Sequence, residues 1–523
     1  MNFESLVVLL CLIGMLAALI KDLMRPGGVL FTVIVILLCC GIITPKEMLE
    51  GFSNKGMITV GLLFLVSEGV RQSGALSQII KKILPQGKTT VFKAQLRMLP
   101  AVAFISAFLN NTPVVVIFAP IIKRWAKMVH LPATKFLIPL SYMTILGGLC
   151  TLIGTSTNLV VHGMMIEAGF EGLGMFDLIW IGLPVTIFGA IYIFLASQKV
   201  LPNEREAENP ADEETEEEEN LHQLEVVISS RFPGIDKTLK EFNFRRRYGA
   251  EVRGIKRGGK LLAGSLGKHQ LREGDTLVIM ADDSFVATWG DASAFLMIST
   301  SKEAEPQKSA GKRNFALTLL VLMIVGATVG ELPFFKEAFP SLKLDMFFFA
   351  AVTTVIMAWT RLFPSQKYTK YISWDILITI ACAFAISKAM TNSGMADLIA
   401  KFIINLSYSF GPESTVGPYI LLGMLYLMIN IITSLITNNA AAALGFPLAL
   451  SLSQQLGVNP MPFFIAICVA ATAEFSTPIG YQTNLVVQGI GNYKFMDFVR
   501  FGLPLNLLCW IVSVLLIPHI WPF

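Results

Sequence analysis

The sequence predicts an all-α polytopic membrane protein with two inverted five-span repeats, each with a re-entrant hairpin and a broken helix, plus a small α+β cytoplasmic insert. The first supporting observation is composition. Of 523 residues, 54% are hydrophobic and 15% are charged, and apolar runs of about 17–25 residues recur. The second observation is that two polar motifs each occur twice, in matching order. The third is a charged segment that separates the two occurrences.

Apolar segments long enough to cross a bilayer are shared evenly between the two halves of the chain. We predict spans at about 3–20, 27–43, 56–72, 136–167 (broken), 178–198, 314–331, 343–361, 374–391, 460–490 (broken) and 498–518. The first span carries Glu4 and no leading Lys or Arg. We therefore expect it to be retained and not cleaved as a signal peptide.

Two further apolar segments, about 93–126 and 415–456, are interrupted near the middle by polar residues. Each interruption comes after too few residues for a comfortable full crossing. We predict that both segments are re-entrant hairpins with the polar residues at their tips. Two full spans apiece are the alternative.

Basic residues predict the orientation of the spans. If the N-terminus is outside and ten spans alternate, Lys and Arg concentrate on the inside segments. The outside segments then contain only Lys46, Lys55, Lys336, Lys343 and Lys401. The positive-inside rule thus predicts both termini outside and segment 199–313 in the cytoplasm, with the protein in the cell (inner or plasma) membrane.

The polar interruptions occupy matching places in the two halves. They are Asn110-Asn111-Thr112, Thr155-Ser156-Thr157-Asn158, Thr437-Asn438-Asn439 and Gln482-Thr483-Asn484. The Asn-Asn pairs are 328 residues apart and the two Thr-Asn-Leu-Val-Val runs are 326 residues apart. Each half has an odd number of spans, so the repeats have opposite topology, as in secondary transporters.

Unpaired amides and hydroxyls are costly in a bilayer, so four matched clusters indicate a site for a polar substrate. Two structural explanations compete with that interpretation. Asn residues in membrane helices often hold neighbouring helices together. Thr and Ser side chains can also bond to helical carbonyls of their own segment.

We divide the chain into repeat 1 (1–200), an acidic linker (201–220), a compact domain (221–284), a second linker (285–313) and repeat 2 (314–523). In the compact domain we predict strands at 224–228, 251–257 and 274–279, a helix at 237–248 and a turn at 256–259. The helix ends in Arg245-Arg246-Arg247. That cluster is a site for a nucleotide or an acidic lipid headgroup, a solvated helix end, or a partner for the acidic linker.

Other features predict neither catalysis nor nucleic-acid binding. The seven cysteines lie in apolar segments without paired spacing, which indicates neither a disulfide framework nor a metal site. No nucleophile–base constellation is recognisable, so we predict a non-enzyme without a cofactor. Glu68 and Lys388 are repeat-equivalent charges within spans. They are either functional, an ion pair, or end residues that reach the membrane surface.

The quoted residues resemble the divalent anion/sodium symporter family, within it the branch of sodium/sulfate transporters that carry a TrkA-C (RCK C-terminal) domain. The resemblance covers nearly the whole chain. Its most specific parts in the spans are Asn110-Asn111-Thr112-Pro113, 137–142 and 147–158. In the insert they are Lys237-Thr238-Leu239, Arg247-Tyr248-Gly249 and Gly274-Asp275.

The resemblance implies two sodium sites and an anion site between the repeats. Family hairpin tips carry Ser-Asn-Thr, from which both tips here depart while keeping the central Asn. The implied sodium ligands are Ser106, Asn110, Asn111 and Gly154 for one ion, and Thr433, Asn438 and Gly480 for the other. Dicarboxylate members have Pro-Pro where this chain has Ser156-Thr157 and Gln482-Thr483. The additional donors favour a small tetrahedral oxyanion.

These features predict a sodium-coupled symporter of a small divalent anion, most directly sulfate, with all four polar motifs contacting the substrate. The resemblance further implies an elevator-type movement, a homodimer and a small-molecule regulator of the insert. A dicarboxylate or another oxyanion is the alternative substrate. From other classes, the alternatives are a channel or sensor gated by the TrkA-C domain, and an ion antiporter. An antiporter would require titratable carboxylates at the membrane midplane, which we do not expect in the broken segments.

Overall fold

The computed structural model describes most of the chain. The described residues are 2–21, 23–85, 87–203, 222–258, 260–262, 266–281, 284–289, 292–299, 310–330, 332, 334–335, 344–408 and 417–523. Some predicted features therefore lie outside the described residues: the acidic run 204–219, Gly259 of the predicted turn, and Lys336 and Lys343 of the orientation argument.

The described residues of repeat 1 form ten α-helices and a short 3-10 helix, Gly51–Ser53. The α-helices are α1 (Phe3–Ile20), α2 (Pro26–Cys39), α3 (Pro45–Glu50), α4 (Lys55–Gln72), α5 (Ala75–Ile83), α6 (Val91–Ser106), α7 (Asn111–Met128), α8 (Thr134–Gly148), α9 (Ser156–Glu167) and α10 (Ile179–Val200). Capping side chains and a glycine turn fix several of the helix boundaries. Asn54 accepts bonds from the first backbone N–H groups of α4, and Thr90 does the same for α6. Gly74, with φ +75°, lets the chain turn between α4 and α5.

The described part of the insert forms a five-stranded antiparallel sheet, three short α-helices and a 3-10 helix, Leu266–Lys268. In chain order the strands and α-helices are β1 (His222–Ile228), α11 (Leu239–Phe242), α12 (Phe244–Tyr248), β2 (Glu251–Arg257), β3 (Lys260–Leu261), β4 (Thr276–Ala281), α13 (Ser284–Trp289) and β5 (Phe295–Ser299). The strand order is β3-β2-β4-β1-β5. The predicted strands are present, and the predicted helix is divided in two because Asn243 adopts a left-handed conformation with φ +53°.

The domain boundary predicted at residue 284 is too early. Strand β5 lies in the segment predicted as a linker, yet it pairs with β1 and completes the sheet. Its side chains do not alternate between apolar and polar, because both faces are covered. Phe295 packs in the aromatic core of the insert, and Met297 packs among transmembrane residues.

Repeat 2 follows the same order as repeat 1. Its helices are α14 (Ala310–Gly330), α15 (Met346–Trp359), α16 (Trp374–Asn392), α17 (Met395–Tyr408), α18 (Gly417–Leu435), α19 (Asn438–Leu456), α20 (Met461–Thr472), α21 (Gln482–Gly491) and α22 (Phe495–Ile520). Gly394 takes a left-handed conformation between α16 and α17, as Gly74 does between α4 and α5. Ser73 and Ser393 also make matching bonds at these turns.

Among the described residues, seven helical segments are long and apolar enough to cross a membrane. They are Phe3–Ile20, Pro45–Gln72, Ile179–Val200, Ala310–Gly330, Trp374–Asn392, Gly417–Leu435 and Phe495–Ile520. Three shorter apolar helices, α2, α15 and α20, coincide with other predicted spans or half-spans. The chain is an integral membrane protein, and its helical architecture confirms the predicted fold class.

The two predicted hairpins and the two predicted helix breaks are present. Hairpin 1 is α6–α7 and hairpin 2 is α18–α19. The breaks are loop 1, residues 149–155 between α8 and α9, and loop 2, residues 473–481 between α20 and α21. Asn430, near the tip of hairpin 2, donates to the carbonyls of Ala470 and Ala473 at the start of the break, at 3.1 and 2.8 Å. The tip therefore lies at the level of the break, as a re-entrant hairpin requires, although α18 alone has the length of a full span.

The insert is docked on the transmembrane helices. Its Glu225 lies between Lys256 of the insert and Lys123 of α7, with Nζ–O distances of 2.9 and 3.3 Å. Val227 of β1 is fully buried within the transmembrane core. A Cβ atom at Gly489 of α21 would lie 2.6 Å from the hydroxyl oxygen of β4 residue Thr276, so a larger residue there would require the Thr276 side chain to shift. The insert thus contacts one helix of hairpin 1 and one half of the broken helix of repeat 2.

Candidate functional site

Four helices begin at the four polar motifs: α7 at Asn111, α9 at Ser156, α19 at Asn438 and α21 at Gln482. Three of them follow Asn110, Thr155 and Thr437, residue types that usually cap a helix. None of these side chains accepts a bond from a first-turn N–H group, in contrast to Asn54 before α4. Tyr481 likewise leaves α21 without a side-chain cap. Four helix N-termini therefore keep backbone donors and a positive dipole end available for an anion.

Asn111 connects the tip of hairpin 1 to both loops. It is fully buried. In the amide orientation that satisfies its neighbours, Nδ2 donates to Ser106 Oγ at 2.7 Å and to the carbonyls of Thr144 and Gly154 at 3.1 and 3.2 Å. Its Oδ1 accepts from the Tyr481 hydroxyl of loop 2 at 2.6 Å. Three oxygen atoms of repeat 1 thus surround the Nδ2 atom of Asn111. A small hard cation prefers oxygen ligands of this kind.

Hairpin 2 has a matching arrangement. The Thr433 hydroxyl donates to Asn438 Oδ1 at 3.0 Å and lies 2.9 Å from the Ala471 carbonyl. The corresponding residues at hairpin 1 are five positions apart in the same way. A Cβ atom at Gly480 would lie 2.9 Å from the Thr433 carbonyl oxygen, so loop 2 passes directly over the hairpin tip. The structure therefore brings together Thr433, Asn438 and Gly480, as it brings together Ser106, Asn111 and Gly154.

Asn158 and Asn484 brace the two loops from inside. Asn158 Nδ2 donates to the Thr151 carbonyl at 3.0 Å, and Asn484 Nδ2 donates to the Thr477 carbonyl at 3.1 Å. The hydroxyls of Thr151 and Thr477 each accept from the glycine N–H three residues later, at 3.2 and 3.3 Å. These bonds give both loops the same shape. The two amides that were predicted to contact substrate are thus engaged in holding the loops.

Contacts between the repeats close the site. Ser156, the first residue of α9, donates to Asn439 Oδ1 at the tip of hairpin 2, at 3.0 Å. Ser141 of α8 donates to Asn484 Oδ1 at 2.7 Å. Together with the bond between Asn111 and Tyr481 of loop 2, these bonds join each hairpin tip to the broken helix of the opposite repeat.

Neutral hydroxyls are concentrated around these contacts. The Thr437 and Thr483 hydroxyl oxygens are buried and have no hydrogen-bond partner among the described residues. Thr155 and Thr157 are buried with their hydroxyl oxygens 3.4 Å apart. Partnerless buried donors are costly unless a ligand satisfies them. The remaining predicted positions, partly buried in the first turns of α7 and α21, are Thr112 and Gln482.

Asn110, predicted as a sodium and substrate ligand, lies directly before α7 and is partly buried. It borders a crevice that also includes Ser156 and is otherwise lined mainly by apolar side chains. Its position at the hairpin tip is therefore as predicted. Its neighbours are not the three oxygens that surround Asn111.

Three residues at the site were not predicted. Thr144 contributes a backbone carbonyl, which any residue type could supply. Tyr481 crosses between the repeats. Glu474 lies in loop 2 and is fully buried. The expectation that the broken segments lack carboxylates was therefore wrong. A search for positions at which the two repeats differ could have found Glu474, because Gly148 stands at its equivalent position at the 326-residue offset.

Glu68 and Lys388 are not partners of each other. Glu68 lies at the end of α4 and forms a two-fold ion pair with Arg71, with N–O distances of 2.7 Å. Lys388 of α16 lies 3.6 Å from the Glu167 carboxylate at the end of α9. Each charge has a local counter-charge, which favours the structural interpretation of both residues.

The sequence also matches known proteins. Residues 14–450 and 342–521 match the model of the citrate transporter family. A Chlamydomonas reinhardtii protein that bears the name of a sulfur deprivation response regulator is 28% identical over an alignment of 598 positions, covering 95% of this chain and 98% of that protein.

Sodium/sulfate cotransporter 1 of the same alga is 31% identical over 53% of this chain and 31% of that protein. A Na(+)/citrate cotransporter of Rattus norvegicus is 27% identical over 29% of this chain and 25% of that protein.

Proposed function

This chain belongs to the citrate transporter family, and from that membership and the site we propose that it is a sodium-coupled secondary symporter of a small divalent anion, most directly sulfate. The observation that carries the proposal is the set of four helix N-termini at the polar motifs, which are joined across the two repeats. Inverted repeats that present broken helices to a shared centre are the usual site of transport in such proteins.

The anion would be bound by neutral donors. Backbone N–H groups at the helix starts and the hydroxyls of Thr437 and Thr483 are available to it. The four polar motifs contain neither Lys nor Arg. A fixed cation would hold a divalent anion too firmly for release. A co-transported sodium ion supplies positive charge and leaves together with the substrate.

Sodium would bind at the two hairpin tips. At hairpin 1 the oxygens of Ser106, Thr144 and Gly154 surround the Asn111 amide. Rotation of that amide would present Oδ1 to a cation beside them. Thr433, Asn438 and Gly480 provide the equivalent group at hairpin 2. Because each tip also contacts the broken helix of the opposite repeat, sodium binding would order the anion site before the anion arrives.

Sulfate is favoured over a dicarboxylate by the donors in the loops. Ser156 and Thr483 are hydroxyl residues with positions at or next to a helix start. Several hydroxyl and N–H donors in a small space suit a compact tetrahedral oxyanion. The names of relatives include both a sodium/sulfate and a Na(+)/citrate cotransporter, so both substrates belong in the test.

The movement we propose is of the elevator type, with hairpins and broken helices shifting as one body. The bonds between each hairpin and the broken helix of the opposite repeat would make such a body rigid. A mostly apolar crevice, lined by residues including Leu63, Leu109 and Leu320, separates this body from α4 and α14. An apolar surface of this kind opposes sliding less than a bonded polar surface would.

We further propose that the insert is a cytoplasmic regulatory domain of the TrkA-C type, that the termini are outside, and that the protein is a homodimer. The docking of β4 against α21 supports a regulatory role, because α21 begins at the anion site. A second candidate function is an anion sensor that binds its anion without transporting it. The contact between β4 and α21 favours this function, and so does the name of the Chlamydomonas reinhardtii relative that covers 95% of this chain.

The test is radiolabelled sulfate uptake into proteoliposomes with and without an inward sodium gradient, with citrate and succinate as competitors. We expect sodium-dependent sulfate uptake. Sodium-dependent uptake of succinate or citrate without sulfate uptake would show that the substrate is a carboxylate and not sulfate. Sodium-dependent sulfate binding without uptake of any of the three anions would favour the sensor.

A further inference from the structure

Glu474 is the feature of loop 2 that the symmetric site does not explain. Its side chain is fully buried. One carboxylate oxygen, Oε1, accepts from the Thr477 N–H at 2.8 Å and lies 3.4 Å from the Ser476 hydroxyl. The other oxygen, Oε2, has no hydrogen-bond partner among the described residues. A carboxylate with a bare buried oxygen is costly, and the cost is greater within a membrane protein.

The bare oxygen points at the hairpin 2 tip. A Cβ atom at Gly480 would lie 2.9 Å from Glu474 Oε2 and also 2.9 Å from the Thr433 carbonyl oxygen. Thr433 in turn bonds to Asn438 Oδ1. A carboxylate oxygen and a carbonyl oxygen thus lie beside Gly480, and the hydroxyl of the same Thr433 bonds to the Asn438 amide oxygen. That donor set is the one that hard cations select.

Repeat 1 cannot hold a carboxylate in the same place. Gly148 stands at the equivalent position, and a Cβ atom there would lie 2.6 Å from the side-chain amide of Asn111. A side chain at position 148 would therefore collide with the Asn111 amide, whereas position 474 carries a fully buried carboxylate side chain. The two hairpin tips therefore differ in charge, one with neutral oxygens and one with a carboxylate.

We infer that Glu474 is an anionic ligand of the cation at hairpin 2, so that one of the two sodium sites carries a formal negative charge. The described residues contain no basic side chain paired with Glu474, and a bound cation would supply its counter-charge. This inference rests on the proposed sodium coupling.

A consequence for coupling follows from the position of Glu474. It contacts Gly480, two residues before α21 begins at the anion site. An uncompensated carboxylate there repels a divalent anion, and a sodium ion bound to it removes the repulsion. Part of the sodium requirement for anion binding is therefore electrostatic and is carried by one side chain.

The test is binding of radioactive sodium to the purified full-length protein in the absence of any anion, for the wild type, Glu474→Gln and Glu474→Asp. Glu167→Gln is the matched control, because it neutralises a carboxylate that pairs with Lys388 away from the hairpin tips. We expect Glu474→Gln to lose one class of sodium site or to weaken it at least tenfold. Glu474→Asp keeps the charge and should stay within tenfold of the wild type, as should the control.

A second readout separates a ligand from a packing residue. Sulfate binding to Glu474→Gln should depend less on sodium than in the wild type, since the repulsive charge is gone. Unchanged sodium binding and an unchanged sodium requirement in a folded Glu474→Gln protein would overturn the inference. If Glu474→Gln does not fold, the comparison uses Glu474→Asp and the control Glu167→Gln. A loss of sodium affinity of tenfold or more in both variants would then overturn the inference. A wild type that binds no sodium would instead refute the proposed function.

Discussion

Replacing Glu225 with Gln is expected to release the insert from the transmembrane helices. Glu225 joins strand β1 of the insert to α7 through Lys123 and also pairs with Lys256 inside the insert. Glutamine keeps the size of the side chain and removes its charge. Two ammonium groups then remain close together at the docking surface without their shared counter-charge.

The magnitude follows from the burial of the three groups. The side chains of Lys256, Glu225 and Lys123 are 8%, 21% and 35% exposed. Truncating one partner of a fully buried, hydrogen-bonded charge pair costs roughly 2–5 kcal/mol. The exposed fraction of Lys123 reduces that figure, because a solvated pair contributes little. We expect the docked state to lose about 2 kcal/mol, which corresponds to roughly a 30-fold rise in the undocked fraction.

The same carboxylate makes a prediction about pH. Burial raises the pKa of Glu225, but Lys123 and Lys256 together lower it by more, so its pKa in the docked protein lies below the ordinary value of 4.5. A carboxyl group with a lowered pKa stabilises docking above its ordinary pKa, and this contribution is lost as the pH falls through the lowered pKa. Docking should therefore be insensitive to Glu225 titration at neutral pH and weaken only in acid below 4.5.

Thiol accessibility at position 276 measures the undocked fraction directly. Thr276 is 1% exposed and faces Gly489 of α21, so Thr276→Cys should react with a soluble maleimide only when the insert is undocked. Mass spectrometry of the modified peptide distinguishes this thiol from the native cysteines. Adding Glu225→Gln should raise the labelling rate about 30-fold. Glu251→Gln, which removes an exposed ion pair with Arg253, is the control. Equal labelling rates in Glu225→Gln and the control would refute the reasoning.

Two further predictions concern the hairpin tips. Asn111→Ala and Asn438→Ala should each weaken the sodium dependence of transport more than they lower the melting temperature, because both amides lie at proposed cation sites; a wild-type sodium response in both would remove that assignment. Gly154→Ala should eliminate the hairpin 1 class of sodium site, because its Cβ would lie 2.4 Å from a backbone carbonyl of α8. Gly14→Ala, whose Cβ meets no atom within 4 Å, should bind sodium like the wild type, and equal binding by both variants would contradict the prediction.

The sequence predicts the fold where a feature is repeated. The 326-residue offset places Gly154 and Gly480 at equivalent helix breaks, and the structure has both breaks. The 328-residue offset of the Asn-Asn pairs places both pairs at hairpin tips. Only the structure shows that Asn111 and Asn438 are the equivalent members, bonded to Ser106 and Thr433. A repeated polar residue in an apolar segment is visible without coordinates, because its burial cost must be compensated in both halves.

What differs between the repeats is harder to predict. Glu474 is missed because a comparison of shared residues passes over a position occupied by glycine in the other repeat. Tyr481 acts across the repeats, and sequence spacing carries no distance between them. Strand β5 is missed because a strand covered on both faces reads as an ordinary apolar run.

Sodium-gradient-driven sulfate uptake into proteoliposomes is the most direct test of the proposed activity. The four uncapped helix starts and the two oxygen-rich hairpin tips predict uptake that requires an inward sodium gradient and ceases when potassium replaces sodium. Sulfate uptake of equal rate with and without the sodium gradient would contradict sodium-coupled symport by this protein.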